Sequence, residues 1–276
     1  MNRFSDINTI LNFMQVIKNL AKKIVALKSQ ENVVPLKDLV YLGSTFQGYY
    51  VPSNYLEASS ICYCVGAGVD ISLDVELATM FNSQVFIFDP MPYALDHFNT
   101  LIEKTERGEQ FNASGGDGKY VYTVKRSQFD TIQFLATGIW NEKKTVKFYS
   151  PSKENYPGHS ITNLQNTEDY IEAPVDKLVN IMRSLNHQHI DLLKIEIEGS
   201  EYVVIEDLLR DQLDIRVILV EFDEFHHRAG KVLATMNRIN HSTNKLLKAG
   251  YKLVHSLSFY KRTFVRADVF ETLQQK

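Results

Sequence analysis

The chain has 276 residues, of which 44% are hydrophobic and 11% aromatic, and its formal net charge is −3. This length and composition predict a large apolar core and one α/β domain with additions. A slightly acidic chain without a long run of Lys or Arg lacks electrostatic attraction for phosphate backbones, so nucleic acid is excluded as an expected partner. No stretch approaches the roughly 20 apolar residues of a membrane span, and we therefore expect no membrane span and a cytoplasmic location.

The first 40 residues differ from the rest of the chain. Apolar residues recur at helical spacing from Ile7 to Leu27, with lysines between them, which predicts an amphipathic helix. We expect this helical extension and a linker to occupy residues 1–40. The helix is predicted to pack on the body of the protein or on a second subunit of a homo-oligomer, and a role at a membrane surface is the less favoured alternative.

Strand and helix signals alternate through residues 41–276, which we interpret as one domain. Polar segments at 108–119 and 151–170 lack periodicity and are predicted loops, the second being a candidate lid or substrate loop. Repeated βα units predict a doubly wound, Rossmann-like sheet that is mostly parallel, with ligands at the carboxyl ends of its strands. Predicted strands lie at 60–66, 85–90, 132–140, 145–150, 190–197 and 216–222, helices at 72–82, 92–107, 200–209 and 230–249, and a C-terminal antiparallel hairpin at 251–259 and 262–270.

Charged residues interrupt two apolar strand patterns at their carboxyl ends. A strand covered on both faces reads as nearly continuous apolar residues, so charges at its end need water, a partner or a ligand. Two such strand ends at one sheet edge predict a functional site, although solvated strand ends or salt bridges are the alternative. The charges are Lys194, Glu196 and Glu198, on one face of the strand in LLKIEIEGSE at 192–201, and Glu221, Asp223, His226 and His227 in VILVEFDEFHH at 217–227.

A glycine turn and a distant aspartate predict a nucleoside site. The turn Val65-Gly66-Ala67-Gly68 follows an apolar strand, and Asp89 closes the next strand, where a carboxylate can accept hydrogen bonds from both ribose hydroxyls. A dinucleotide fingerprint would place a third glycine at position 71, but Ile71 is there, which disfavours a nicotinamide-dependent oxidoreductase. The carboxylate of Asp70 would repel a pyrophosphate and suits a cationic ligand such as S-adenosylmethionine.

These motifs resemble those of the FkbM-type methyltransferases, a branch of the class I S-adenosylmethionine-dependent enzymes. LLKIEIEGSEY at 192–202 is similar to the family's signature K-I-D-x-E-G-x-E, with Glu196 where Asp is commoner. CYCVGAGVDISLDVELA at 62–78 is similar to a subgroup pattern, with Leu73 in place of Phe. Segments 48–56, 85–92, 136–141 and 217–222 extend the resemblance.

The resemblance implies S-adenosylmethionine as the cofactor. Asp89 would hold the ribose, and the glycine turn would line the methionine part. The implied cofactor residues are Gly66, Ala67, Gly68, Asp70, Ser72, Asp89, Pro90, Met91, Gly138 and Ile139.

Family members often methylate sugar hydroxyls, which implies O-methylation of a surface-polysaccharide sugar or its nucleotide-linked precursor. N-methylation of an amino sugar or other small molecule, and a non-catalytic cofactor-binding scaffold in glycan assembly, are the alternatives. A hydroxyl is a poor nucleophile until a base takes its proton. A further option is that Glu196, Glu221 and Asp223 bind a magnesium ion that polarises the hydroxyl. Candidate catalytic residues are Glu196, Glu198, Glu221 and His226 or His227, and candidate substrate-binding residues are Tyr156, His159, Ser160 and Asp223.

Overall fold

The computed structural model describes residues 31–116, 118–152, 158–224 and 232–275. The predicted helix from Ile7 to Leu27 lies outside these residues, as do Tyr156, His226 and His227. The boundary at residue 40 and an oligomer formed through the helix therefore stay predictions. None of the described helices combines the length and the apolar character needed to cross a lipid bilayer.

The described elements alternate between strands and helices after an initial hairpin. In chain order, the strands are β1 (Leu39–Leu42), β2 (Tyr49–Pro52), β3 (Ile61–Val65), β4 (Gln84–Phe88), β5 (Ile132–Leu135), β6 (Gly138–Ile139), β7 (Lys144–Tyr149), β8 (Tyr170–Asp176), β9 (Ile190–Ile195), β10 (Ile215–Glu221), β11 (Tyr251–Ser256) and β12 (Lys261–Arg266). The α-helices are α1 (Ser72–Phe81), α2 (Pro92–Glu106), α3 (Leu178–Ser184), α4 (Glu201–Arg210), α5 (Val232–Lys248) and α6 (Ala267–Gln274).

The main sheet of the described chain has seven strands in the order β11-β12-β10-β9-β3-β4-β5. The strands from β10 to β5 are parallel to one another, and β12 is antiparallel to both β10 and β11. This arrangement confirms the predicted α/β class and the mostly parallel sheet. The chain moves from β3 towards β4 and β5 on one side and from β9 to β10 on the other, so the carboxyl ends of β3 and β9 flank a topological switch point, where ligands bind in such sheets.

Both faces of the sheet are covered, which explains the apolar strand patterns. Cys62 and Cys64 of β3 pack in one hydrophobic cluster with α1 and α2, whereas Tyr63 and Val65 pack in a second cluster with α3, α4 and α5. Alternate residues of a strand point to opposite faces, so a strand between two helix layers must be apolar at nearly every position. All six residues of β9 are buried, including the charged Lys194.

The predicted strand at 132–140 is wrong as a single element. It divides into β5, in the main sheet, and β6, which belongs to a three-stranded sheet in the order β6-β8-β7. The amide of Thr137 donates to the carbonyl oxygen of Leu135 over 2.8 Å, and this tight turn ends β5. Gly138 lies so close to the neighbouring strand that a Cβ there would be 3.0 Å from Val175 Cγ1.

The second strand of the terminal hairpin is shorter than the predicted 262–270. β12 ends at Arg266, and α6 begins at the next residue. The guanidinium of Arg266 pairs with Asp268, an acidic residue in the first turn of α6, where a negative charge favours helix initiation. The hairpin of β1 and β2 and the strand β8 were not predicted, because β1 and β2 have only four residues each and β8 lacks a clear apolar period.

We predict that Leu193→Ala destabilises the protein strongly, because Leu193 is fully buried in β9. Removing a buried leucine side chain leaves a cavity, so the free energy of unfolding should fall by about 2 to 5 kcal/mol in urea denaturation. The control is Leu257→Ala, at a position that is 46% exposed, where the change should be about 0.5 kcal/mol. Equal losses for the two variants would contradict the assignment of β9 to the centre of the core.

Candidate functional site

A cavity opens at the carboxyl ends of β3, β4, β9 and β10, next to the switch point. Residues from the glycine turn, the strand ends and the segment after β7 meet there. The sequence-predicted residues that line this cavity are Gly66, Ala67, Gly68, Asp70, Asp89, Pro90, Met91, Gly138, Ile139, His159, Glu196, Glu198, Glu221 and Asp223. Residues predicted for cofactor binding, substrate binding and catalysis therefore meet at one cavity, although they are far apart in sequence.

The glycine turn after β3 packs tightly against β9 and is open on the other side. Gly66 has a φ of +87°, and a Cβ built on it would be 1.8 Å from the carbonyl oxygen of Glu196. No side chain fits there, so the position requires glycine. Gly68 has a φ of +53° and no atom within 4 Å of a Cβ built on it, which leaves the cavity side of the turn free.

Asp89 fixes the glycine turn from the end of β4. Its Oδ2 accepts hydrogen bonds from the amides of Ala67 and Gly68, both over 2.9 Å, and its Oδ1 accepts one from the amide of Met91 over 2.9 Å. Burial raises the pKa of Asp89, while these three amides oppose the shift. A carboxylate has about four acceptor positions, so Asp89 can still accept a hydrogen bond from one hydroxyl of a ligand in the cavity.

Asp70 and Ser72 connect the β1–β2 turn to the start of α1. Ser44 Oγ donates to Asp70 Oδ2 over 2.6 Å, the amide of Ser72 donates to Asp70 Oδ1 over 3.1 Å, and Ser72 Oγ accepts the amide of Ser44 over 2.7 Å. Asp70 also lines the cavity, whereas Ser72 is fully buried and does not. The cofactor role of these two residues stays a prediction.

Lys194 is a buried cation directly beneath the glycine turn. Its Nζ donates to the carbonyl oxygen of Gly66 over 2.9 Å and lies 3.2 Å from Glu196 Oε2 and 3.8 Å from Asp74 Oδ2. Burial alone would lower the pKa of Lys194, but the Asp74 and Glu196 carboxylates outweigh it and raise the pKa. The lysine therefore stays charged and holds the turn against the end of β9.

A second buried lysine comes from the start of β12. Lys261 Nζ donates to Glu196 Oε1 over 3.0 Å, to Glu221 Oε2 over 2.6 Å and to the carbonyl oxygen of Phe46 over 2.9 Å. The hydroxyl of Tyr49 donates to the same Glu196 oxygen over 2.7 Å. Burial raises the pKa of Glu196, and the two lysines oppose the shift. Glu196, a predicted catalytic residue, is thus the counter-ion of two lysines.

Three further carboxylates lie at these strand ends: Glu198 and Glu201 follow β9, and Asp223 follows β10. Glu198 has a φ of +51°, rare for a residue with a side chain, and its amide donates to Asp223 Oδ2 over 3.0 Å. Glu201 Oε1 accepts the amides of Ile197 and Gly199, each over 3.0 Å. Burial raises the pKa of Glu201 to about 7. Burial, with the nearby Glu198 and Glu201, also raises the pKa of Asp223 well above its ordinary value.

Part of the predicted substrate loop forms a wall of the cavity. The backbones of Tyr149 and Ser160 bond to each other over 2.9 and 3.1 Å, and Ser160 Oγ donates to the carbonyl oxygen of Glu198 over 2.7 Å. His159 lines the cavity, and its ring centroid is 5.5 Å from that of Tyr93. Ser160 is buried behind this wall, so its predicted contact with substrate stays a prediction.

No group of three or more His, Cys, Asp or Glu side chains within the described ranges is arranged to hold a metal ion. The sequence left open a magnesium ion on Glu196, Glu221 and Asp223. The ammonium group of Lys261 already lies between Glu196 and Glu221. A cation of the protein itself thus balances the two carboxylates.

A family model described as the methyltransferase FkbM domain matches residues 42–253. The chain belongs to the FkbM methyltransferase family. Solved structures similar to it include a methyltransferase FkbM from Methylobacillus flagellatus KT, with 12% identity and a TM-score of 0.41 over 76% of this chain and 44% of that one. The chain thus spans less than half the length of that protein. A search of proteins with curated descriptions finds no match.

In this FkbM family member, one residue that bonds to the carboxylates of the cavity lies outside the matched region. Lys261 follows residue 253, yet it bonds to carboxylates at the ends of β9 and β10. Sequence reasoning missed Lys261 and Tyr49, which are 65 and 147 positions from Glu196. Lysines and tyrosines carry no periodic signal, so only the folded chain shows that these residues meet.

We predict that Glu201 makes a contribution to stability that is lost as pH rises from about 4.5 to 7. Its folded pKa of about 7 lies above the ordinary value of 4.5, so the native state binds the proton more tightly and loses this advantage as the pH passes the folded pKa. The loss amounts to about 3 kcal/mol. In urea denaturation, the free energy of unfolding of the wild-type protein should therefore fall relative to that of Glu201→Gln, which keeps an oxygen for the two amides, as pH rises through this range.

The control for this experiment is Glu206→Gln, an exposed carboxylate of the same helix. Its stability should follow the wild-type pH dependence. If Glu201→Gln also followed the wild-type curve, the pKa of Glu201 would be the same in the folded and the unfolded protein.

Proposed function

We propose that this protein is an S-adenosylmethionine-dependent methyltransferase that O-methylates a sugar hydroxyl of a surface polysaccharide or its nucleotide-linked precursor, in the cytoplasm. The observation that carries the proposal is the glycine turn fixed by Asp89 at the switch point, in a chain of the FkbM methyltransferase family. The acceptor and the cofactor are inferred from the chemistry of the cavity and from the family resemblance.

The residues at the cavity fit a nucleoside with an amino-acid tail. Asp89 would accept a hydrogen bond from one ribose hydroxyl, and Gly68 leaves open space for the tail beside the turn. Pro90, Met91 and Ile139 form an apolar end suited to an adenine ring.

The charges of the cavity favour a cationic cofactor over a phosphate-bearing one. Asp70 lies beside the glycine turn, and Glu198 also lines the cavity. A pyrophosphate would be repelled by these carboxylates, whereas the sulfonium and ammonium groups of S-adenosylmethionine would be attracted.

The bound cofactor supplies an electrophilic methyl group. The protein would hold the acceptor atom in line with that methyl group and would take up the proton that this atom loses. Carboxylate oxygens of Glu198 and Asp223 would bind neighbouring hydroxyls of a sugar and fix its orientation.

N-methylation of an amino sugar is the second candidate function. The concentration of carboxylates around Asp223 would attract a protonated amine as well as a hydroxyl. The two reactions are separated by incubating the enzyme with matched nucleotide sugars that carry either a hydroxyl or an amino group at one position and locating the added methyl group.

We predict that Asp89→Asn weakens binding of S-adenosylhomocysteine by about 10- to 100-fold, since a hydrogen bond to a charged acceptor contributes about 1.5 to 3 kcal/mol. Isothermal titration calorimetry measures this loss. Because Asp89 also supports the turn, each titration is repeated with the 2′-deoxyribose analogue. The analogue should bind the wild-type protein more weakly than the parent ligand, and this difference should shrink in Asp89→Asn.

Glu109→Gln serves as the control, since Glu109 is an exposed carboxylate distant from the cavity wall. It should bind S-adenosylhomocysteine as the wild-type protein does. Absence of binding by the wild-type protein would contradict the proposed cofactor and favour a scaffold, and binding of NADH alone would favour an oxidoreductase.

A further inference from the structure

An exposed aromatic side chain lies at the edge of the cavity. Phe46, in the turn between β1 and β2, is 44% exposed and lines the cavity. The other phenyl and phenol rings of the wall, those of Phe88, Tyr93 and Phe148, are less exposed. Within the described residues, Phe46 is the one large apolar side chain that is both exposed and part of this wall. A ligand in the cavity can therefore cover it.

Hydrogen bonds hold the backbone of Phe46 in place. Its amide and the amide of Gln47 donate to Ser44 Oγ over 3.1 and 3.0 Å, and Ser44 Oγ donates to Asp70 Oδ2 over 2.6 Å. The carbonyl oxygen of Phe46 accepts a hydrogen bond from the buried Lys261 over 2.9 Å. The ring is thus presented on a fixed backbone, so a ligand that covers it has little chain to order.

Two glycines of the loop after α2 pack against the Phe46 side chain. A Cβ built on Gly115 would be 3.2 Å from Phe46 Cδ1, and one built on Gly116 would be 2.8 Å from Phe46 Cβ. Gly116 also has a φ of +61°. Because neither position has room for a side chain, glycine lets this loop support Phe46 closely. The part of Phe46 that stays exposed includes its surface towards the cavity.

Lys261 links Phe46 to the carboxylates of the cavity. The ammonium group that bonds to the carbonyl oxygen of Phe46 also donates to Glu221 Oε2 over 2.6 Å. Glu221 ends β10, and Asp223, two positions further on, accepts the amide of Glu198. All three carboxylates line the same cavity as Phe46. An exposed aromatic ring and hydrogen-bond acceptors are therefore combined in one wall.

A sugar ring matches this combination. A pyranose presents C–H bonds on a face and hydroxyls around its rim. The face of an aromatic ring carries partial negative charge, so it attracts C–H groups that neighbouring oxygens have polarised. Carboxylates accept hydrogen bonds from the hydroxyls. A flat apolar acceptor would leave the carboxylates without hydroxyl partners, and an acyclic polyol would cover the aromatic ring poorly.

We propose that Phe46 is the stacking platform of the acceptor subsite and that the acceptor is a sugar in its pyranose form. The C–H face of the sugar covers Phe46, while its hydroxyls bond to the carboxylates of Glu198 and Asp223. The inference rests on the proposed function and adds a residue that determines specificity. Phe46 exchanges neither a proton nor the methyl group, so its loss weakens acceptor binding and leaves the chemical step intact.

The first test measures methyl transfer from labelled S-adenosylmethionine to a panel of nucleotide sugars and methyl pyranosides. Phe46→Ala should raise the KM of the sugar by about 5- to 40-fold, through lost apolar contact, and leave kcat nearly unchanged. Phe46→Trp, which keeps a flat ring, should have a KM near that of the wild-type protein, whereas Phe46→Leu should raise it. The control, Tyr170→Ala, removes an aromatic ring that is 45% exposed and does not line the cavity, and its KM should not change.

The same panel tests the preference for a ring. The wild-type protein should methylate a pyranoside with a higher kcat/KM than the corresponding alditol, which has the hydroxyls without the flat C–H face. This preference should shrink in Phe46→Ala and remain in Tyr170→Ala. Equal kcat/KM values for pyranoside and alditol in the wild-type protein would overturn the proposal.

The second test measures cofactor binding by isothermal titration calorimetry. Phe46→Ala should bind S-adenosylmethionine and S-adenosylhomocysteine as the wild-type protein does. A loss for both ligands would place Phe46 in the cofactor site. A loss for S-adenosylmethionine alone would mean that the ring faces the sulfonium through a cation–π contact. Either loss would overturn the proposal.

Failure of the inference and failure of the proposed function give different results. If the wild-type protein does not bind S-adenosylhomocysteine, the proposed function fails at its cofactor. If it binds this ligand and no sugar in the panel is methylated, a sugar as the acceptor is wrong and the platform is wrong with it. If a sugar is methylated and Phe46→Ala and Phe46→Leu both keep the wild-type KM, the proposed function stands and the role of Phe46 alone is wrong.

Discussion

The site depends on a buried cluster of charges formed by Lys194, Glu196, Lys261 and Glu221. Each of these charges would be costly to bury alone, and removing one partner of such a cluster leaves an uncompensated charge in the interior. The cluster joins the ends of β9 and β10 to β12. Lys194 also bonds to the carbonyl oxygen of Gly66, so the glycine turn is held by the same cluster.

This cluster divides the polar residues of the cavity into two groups. Glu196 and Glu221 neutralise lysines and keep the strand ends together. Glu198, Asp223 and His159 lie on the cavity wall outside these lysine contacts, where a polar acceptor could reach them. Charge pairs therefore hold the base of the cavity together, while other polar groups line its wall.

Local sequence patterns predicted the sheet and the positions of the glycine turn and Asp89 at its edge. The glycine turn and Asp89 each follow an apolar strand, and parallel strands end at one edge, so both residues could be placed from spacing alone. Contacts between distant segments could not be predicted in this way. Lys261 was assigned to the connection of a hairpin, and nothing near it in sequence indicates a carboxylate partner. The contact between Glu196 and Lys261 is likewise visible only in the fold, whereas Lys194 lies two positions from Glu196 on the same strand face, and the catalytic role of Glu196 stays a prediction.

The ends of strands and helices are also poorly predicted by local apolar patterns. The apolar run at 132–140 continues across the boundary between β5 and β6, because both strands pack into the core although they belong to different sheets. The apolar pattern indicates which residues are buried and not which strands pair, so it could not predict the division between β5 and β6. The end of β12 at Arg266 depends on an ion pair with Asp268, which no hydrophobic pattern records.

The most direct test of this account is a crystal structure of the protein with S-adenosylhomocysteine. The account predicts the nucleoside in the cavity at the switch point, with a ribose hydroxyl bonded to Asp89, the amino-acid tail beside Gly68 and the Lys261 contacts to Glu196 and Glu221 retained. A ligand bound elsewhere, or bound in this cavity without contact to Asp89, would contradict it.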